Sequence, residues 1–265
     1  MTSHPSHPSH PSHPPHPFDL GGKVALVTGS NTGLGAGMAR ALAAAGCDIV
    51  GVSRSDDSDT AQQVKALGRR YVGVSADLSN IAPIDDIVRA ALEACGRIDV
   101  LVNNAGIIRR ADALTFSEDD WDAVMNVNLK SAFFLAQAVA RHFVEQDKRG
   151  KIINVASMLS FQGGIRVASY TSSKSGMLGL TRLLANEWAA RGINVNAIAP
   201  GYMATSNTAA LRDDEQRNSE IVARIPAGRW GTPDDLAGPV VFLASVASDY
   251  VHGHTLAVDG GWLAR

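Results

Sequence analysis

Tyr170 and Lys174 stand four residues apart in a stretch, Ser169 to Ala190, whose pattern predicts a helix, so both side chains fall on one face about one turn apart. Such a pair suits proton transfer. A phenol titrates near pH 10, and bringing it to about 7 takes roughly 4 kcal/mol of preferential phenolate stabilisation. An ammonium within about 4–6 Å lowers an acid's pKa by about 1 to 3, so the lysine can supply a large part of it. Ser157, thirteen residues before Tyr170 at the end of an apolar run, is placed to hydrogen-bond a substrate oxygen. Each residue alone has an ordinary structural reading: a core Tyr, a capping Ser, a buried hydrogen-bonding Asn128. The ordered set is what points to chemistry, because any single short motif arises readily by chance.

A second group of residues suits a phosphate-bearing ligand. The turn TGSNTGLG holds Gly29, Asn31, Thr32, Gly33, Leu34 and Gly35 between a strand pattern and a helix pattern. Glycine lets the backbone approach a pyrophosphate without an intervening Cβ, and free N–H groups at a helix start favour anions. Asp77 and Leu78 follow the third strand pattern, and the loop Asn103, Asn104, Ala105, Gly106 follows the fourth. Asp77 can accept from an adenine amino group.

The elements that must position these residues alternate. Strand patterns run KVALVT (from Lys23), DIVGV (Asp48), YVGV (Tyr71), IDVLVN (Ile98), KIINVAS (Lys151), INVNAIA (Ile193) and TLAV (Thr255). Helical patterns lie near Leu34 to Ala45, Ala61 to Leu67, Ile84 to Ala94, Trp121 to Glu145, Ser169 to Ala190 and Pro233 to Ala244. Continuously apolar strands predict helices on both faces, hence an α/β class with one Rossmann-type, doubly wound parallel seven-stranded sheet. Ligands are expected at the carboxyl ends of its strands. No linker divides residues 18–265, which read as one domain.

Residues 1–17 are different material. They hold five of the eight His and six of the eleven Pro, in Ser-His-Pro repeats, and no charged carboxylate or basic side chain. With nothing apolar to bury, this tail is expected to be disordered, either as a metal-binding or pH-responsive arm or as an inert repeat. The body keeps only His142, His252 and His254, so no metal site is expected there. A net charge of −2 offers no basic field for nucleic acid, and no apolar run approaches the roughly 20 residues that cross a bilayer. Two cysteines, Cys47 and Cys95, make no disulfide framework, and a cytoplasmic, reducing location is expected.

In order, these motifs resemble the short-chain dehydrogenase/reductase family across essentially all of residues 18–265. The resemblance implies an NAD(P)-dependent oxidoreductase. It makes Tyr170 the general acid/base and has Lys174 bind the nicotinamide ribose while tuning Tyr170. Ser157 would hold the substrate oxygen, and Asn128 a helix irregularity and a water leading to Lys174. Gly29 to Gly35, Ser53, Arg54, Asp77, Leu78, Asn103, Ala105 and Gly106 would line the adenosine and phosphate sites, and Pro200, Gly201, Met203 and Thr205 the nicotinamide. An acid at the end of the second strand would select NAD. Ser53-Arg54 stands there instead, with Asp56 and Asp57 behind it, which favours NADP.

Longer stretches, among them KIINVASMLSFQGGIRVASY and NEWAARGINVNAIAPGYMAT, resemble a subgroup acting on keto-deoxy sugar acids in bacterial uronate breakdown, most of which use NAD. The implied reaction interconverts a secondary alcohol and a ketone. A sugar acid requires a cation for its carboxylate, which Arg109 or Arg166 could supply, with Gln162 and Ser160 for hydroxyls. The resemblance also implies a mobile lid over Ser206 to Arg229 and a homotetramer. Two other readings stand: a 3-oxoacyl-carrier-protein reductase, whose acidic carrier would use a basic patch around Arg109, Arg110 and Arg141, and a non-catalytic cofactor-sensing protein.

Overall fold

The computed structural model describes residues 16–265. The repeats expected to be disordered fall at residues 1–15, outside the described residues. Where the tail meets the body, the Pro17 carbonyl accepts from the Ala247 amide at 3.3 Å, so the end of the repeat already rests on the domain.

Seven strands form one parallel sheet: β1 (Val24–Thr28), β2 (Asp48–Ser53), β3 (Tyr71–Ser75), β4 (Val100–Asn103), β5 (Gly150–Val155), β6 (Ile193–Pro200) and β7 (Thr255–Val258). Their spatial order is β3-β2-β1-β4-β5-β6-β7, which reverses direction between β1 and β4. Adjacent parallel strands cannot be joined by a tight turn, so each connection crosses a face, and helices cover both sides. In chain order these are α1 (Gly33–Ala44), α2 (Ser58–Ala66), α3 (Ile84–Cys95), α4 (Glu118–Met125), α5 (Ser131–Glu145), α6 (Ala168–Trp188), α7 (Ala209–Asp213), α8 (Glu215–Arg224) and α9 (Ala237–Ala244).

Two cores result, one per face. Met38, Leu42, Val240 and Leu243 of α1 and α9 pack on Ala25, Val27, Val100 and Val102. On the other face Ile87, Leu135, Val139, Phe143 and Leu184 of α3, α5 and α6 cover Leu26, Val50, Leu101 and Ile152. Phe143 is therefore core, and Trp188 packs against the edge of the same cluster. Between these layers a polar ladder ties the central strands to α6: Asn103 Nδ2 donates to Asn154 Oδ1 (3.0 Å) and Asn154 Nδ2 to Thr181 Oγ1 (3.0 Å).

Two departures from the sequence reading matter for the site. The helix expected over Trp121 to Glu145 begins at Glu118, where Ser117 Oγ accepts from the Asp120 amide, and is broken by a π-helical turn at Asn126–Lys130. Ser206 to Arg229, expected as a mobile loop, contains α7 and α8, the latter capped by Asp214. Ile221 and Ile225 anchor it in a cluster with Met158 and Trp262. Among the described residues no helix is long and apolar enough to cross a membrane.

Candidate active site

A cleft of about 440 Å³ opens at the carboxyl ends of the strands, over the β1/β4 reversal. Gly29, Asn31, Thr32, Gly33 and Leu34 form its floor, Ser53, Arg54, Asp77 and Leu78 one end, and Ser157, Tyr170 and Lys174 the other. Ala105, Gly106, Pro200, Gly201, Met203 and Thr205 complete the lining. The start of α1 is prepared for an anion: Thr32 makes no side-chain cap, and no acid stands in the first turn. These features fit a dinucleotide lying across the crevice, with its pyrophosphate at α1.

Gly35 lines nothing. It is where α1 meets the turn, and a Cβ there would lie 2.0 Å from the Gly29 carbonyl oxygen and 2.4 Å from Asn104 Nδ2. Because both neighbours are fixed by the β1 and β4 ends, Gly35→Ala is expected to cost about 3 kcal/mol or more of stability and to weaken dinucleotide binding. Urea unfolding and a nucleotide titration check both effects.

Asn103 and Asn104 exchange the expected positions. Asn103 turns into the buried polar ladder, away from the cleft. Asn104 is the lining residue, and its Nδ2 donates to the carbonyls of Thr28 (2.9 Å) and Gly29 (3.2 Å). Ser55, Ile107, Ser206, Asn207 and Thr208 also line the cleft and carry no sequence signal beyond their proximity to motif residues. Asn128 sits in the π-helical turn and does not reach the cleft. Its Oδ1 accepts from the Ile107 amide (2.8 Å), and its Nδ2 donates to the Ile107 carbonyl (3.0 Å) and Ser173 Oγ (3.2 Å). It thereby fixes the loop after β4 against α6.

On α6, Lys174 Nζ lies 5.7 Å from the centre of the Tyr170 ring, as the four-residue spacing requires. The ammonium donates to the Val155 carbonyl at 2.6 Å, and burial lowers its pKa to about 8. Burial also pushes the Tyr170 phenol above its ordinary value, against the pull of its bond to Ser157 and the charge of Arg110. From the spacing alone the neighbouring ammonium is expected to bring the phenol down. In the free protein burial of the phenol outweighs the pull of Ser157 and Arg110. Ser157 is held by the β5 end, its Oγ accepting from the Leu159 amide at 3.1 Å. Ser160, expected to meet sugar hydroxyls, donates instead to the Lys174 carbonyl at 2.6 Å.

The expected carboxylate ligands are not in the cleft. Arg109 pairs with Asp120 (3.1 Å), across the mouth of α4. Arg166 is exposed, with φ +62°, and its carbonyl accepts from the Ala111 amide at 3.1 Å. Gln162 Oε1 accepts from Trp262 Nε1 at 3.2 Å, which directs it to the C-terminal turn. Arg110 is not among the lining residues either, but its charge acts on Tyr170, and its Nη2 donates at 3.3 Å to the carbonyl of Asn207, which does line the cleft.

Fold, glycine turn and the Ser-Tyr-Lys cluster together define a dinucleotide-dependent oxidoreductase. The chain belongs to the short-chain dehydrogenase/reductase family, enzymes that act on CH–OH groups with NAD(P). The family profile described as enoyl-(acyl carrier protein) reductase matches residues 29–263. The 2-dehydro-3-deoxy-D-gluconate 5-dehydrogenase of Escherichia coli (strain K12) is 66% identical over 248 residues, which are 94% of this chain and 98% of the relative. The enzyme of the same name from Dickeya dadantii (strain 3937) is 64% identical over 248 residues, again 94% and 98%. A solved chain from Agrobacterium tumefaciens with bound NADP, described as a candidate 2-deoxy-D-gluconate 3-dehydrogenase, is 56% identical. It superposes with a TM-score of 0.89 over 94% of this chain and 99% of its own.

Proposed function

We propose that the protein interconverts a secondary alcohol and a ketone on a keto-deoxy sugar acid, 2-dehydro-3-deoxy-D-gluconate by the relatives' names, with NADP(H) as redox partner. The observation that supports this is one cleft lined by the glycine turn and by Ser157, Tyr170 and Lys174, with the charge of Arg110 acting on Tyr170 from outside that lining. Arg54 lines the opposite end and suits a 2′-phosphate, in agreement with the NADP in the Agrobacterium structure. A bound nicotinamide would supply the hydride acceptor for oxidation and the donor for reduction.

The chain's own residues do the rest. Ser157 Oγ hydrogen-bonds the reacting oxygen and orients it toward Tyr170. In oxidation the phenolate oxygen of Tyr170 takes the hydroxyl proton, and in reduction the phenol returns it to the nascent alkoxide. Lys174 keeps a positive charge beside the phenolate, and positions the nicotinamide ribose. Arg110 binds the carboxylate, and the Thr205–Thr208 turn beneath α7 closes the mouth against water. Of the basic residues an acidic carrier would want, Arg109 is paired with Asp120, which weakens that reading. The homotetramer and the cytoplasmic location belong to the same proposal: exposed Trp121, Val144 and Leu183 on α4, α5 and α6 suit subunit contacts, and free Cys47 and Cys95 suit a reducing compartment.

Arg110→Ala tests the substrate assignment. Losing one charge-assisted contact is expected to raise KM for the sugar acid by about 10- to 100-fold, and KM for a neutral ketone by less than about threefold. Steady-state rates with both substrates read the difference. Equal increases would remove Arg110 from carboxylate binding.

A further inference from the structure

The loop after β2 sends Arg54 to the cleft and carries two acids, Asp56 and Asp57, directly behind it. Asp56 is turned outward onto Ser58, accepting from its amide (3.1 Å) and its hydroxyl (2.7 Å). Asp57 is held from the opposite side. Tyr71 Oη donates to Asp57 Oδ2 at 2.7 Å, and Ser30 Oγ lies 3.2 Å from the same Oη. A phenol has one proton; with that proton directed at the carboxylate, Ser30 must donate to the phenol oxygen. The chain Ser30 to Tyr71 to Asp57 thus ties the glycine turn to the β2–α2 loop, the two segments that clasp the adenosine end of the cleft.

The sheet is shaped for this contact. Tyr71 opens β3 opposite Ile49, and its side chain runs over the neighbouring Gly51–Gly73 pair. A Cβ at Gly51 would lie 1.9 Å from the Tyr71 oxygen and 2.6 Å from Ser30 Oγ. Burial, opposed by the Ser30 bond and reinforced by the charge of Asp57, pushes the phenol well above its ordinary value, so it remains a donor at working pH. Neither Tyr71 nor Asp57 lines the cleft.

We propose that Tyr71 is a specificity-determining positioning residue: by holding Asp57 behind the loop, it leaves Arg54 as the charged group that this loop presents to the adenosine ribose, and so favours a 2′-phosphate. This rests on the NADP(H) reading above. Without the hydroxyl, Asp57 is free to pair with Arg54 or to face the phosphate. Both outcomes weaken NADP(H) and spare NAD(H), which has no charge at that position.

The test is fluorescence titration of NADPH and NADH against the full-length protein, its Tyr71→Phe and Asp57→Asn variants and the double variant. Tyr71→Phe keeps the ring and is expected to lower the ratio of NADPH to NADH affinity by about tenfold. Asp57→Asn alone, and the double variant, should keep the ratio within about twofold of wild type, because the freed carboxylate is gone. An unchanged ratio in Tyr71→Phe, equal weakening of both nucleotides, or a low ratio that persists in the double variant would overturn the proposal and leave Tyr71 a purely structural role. The wild-type ratio is a separate reading: a preference for NADH there would overturn the NADP(H) assignment, whereas the inference is judged on the change from wild type.

Discussion

Tyr170→Phe is expected to lower kcat/KM for the sugar acid by about a thousandfold while leaving NADPH affinity within about threefold of wild type. The phenyl ring keeps the packing on α6, so the fold should be retained. What disappears is the phenol oxygen to which the proton transfer is assigned, and the Ser157 hydroxyl, a far weaker acid, does not replace it. Burial raises the Tyr170 phenol in the free protein. The oxidation rate should therefore climb with pH until binding of the positive nicotinamide, together with Lys174 and Arg110, holds the phenolate. Steady-state rates with a parallel nucleotide titration separate the chemical step from binding. A loss confined to KM would remove Tyr170 from proton transfer.

Lys174→Met is expected to abolish most of the activity, by about a hundredfold or more, and yet to stabilise the free protein. Burial lowers this ammonium to about 8, well under the ordinary lysine value of 10.5. Between those two pH values the unfolded chain binds the proton and the folded chain has released it, so stability from this group rises with pH across the window; below pH 8 the fold carries the full penalty. At neutral pH that penalty is about 3 kcal/mol, and the lost bond to Val155 returns about 1 kcal/mol of it, for a net gain of about 2 kcal/mol in the Met variant. Tm should rise by roughly 4–8 °C at pH 7, and by less at pH 10. A variant that is inactive and also less stable at pH 7 would mean that the ammonium supports the fold rather than straining it.

The layered sheet and the grouping of Ser157, Tyr170 and Lys174 in one cleft are legible in the sequence because both depend on short-range regularities. Apolar runs of strand length alternate with helical patterns, and Tyr170 and Lys174 are neighbours on any helix. What stayed hidden depends on contacts distant in the chain. Nothing local tells Asn103 from Asn104: one ends β4 facing the polar ladder, and the next residue already turns to the cleft. Arg109 and Arg110 are likewise adjacent, and Asp120 on α4 decides which of them is taken. Gln162 is claimed by Trp262, exactly one hundred positions away. The sign of the Tyr170 shift was missed for the same reason, because burial is set by the whole fold whereas the Lys174 spacing is visible in five residues. The helices α7 and α8 are hidden because α7 is one short turn and α8 is mostly polar, and the apolar anchors Ile221 and Ile225 find buried partners in Met158 and the C-terminal Trp262, far off in the chain.

The central claim is that this cleft oxidises a keto-deoxy sugar acid with NADP. Initial rates of NADP reduction by 2-dehydro-3-deoxy-D-gluconate, set beside the rates of NADPH oxidation by a 3-oxoacyl thioester, test it most directly. For the sugar acid kcat/KM is expected above about 10⁴ M⁻¹s⁻¹, and for the thioester at least about a hundredfold lower. Efficient turnover of the thioester, with none of the sugar acid, would contradict it.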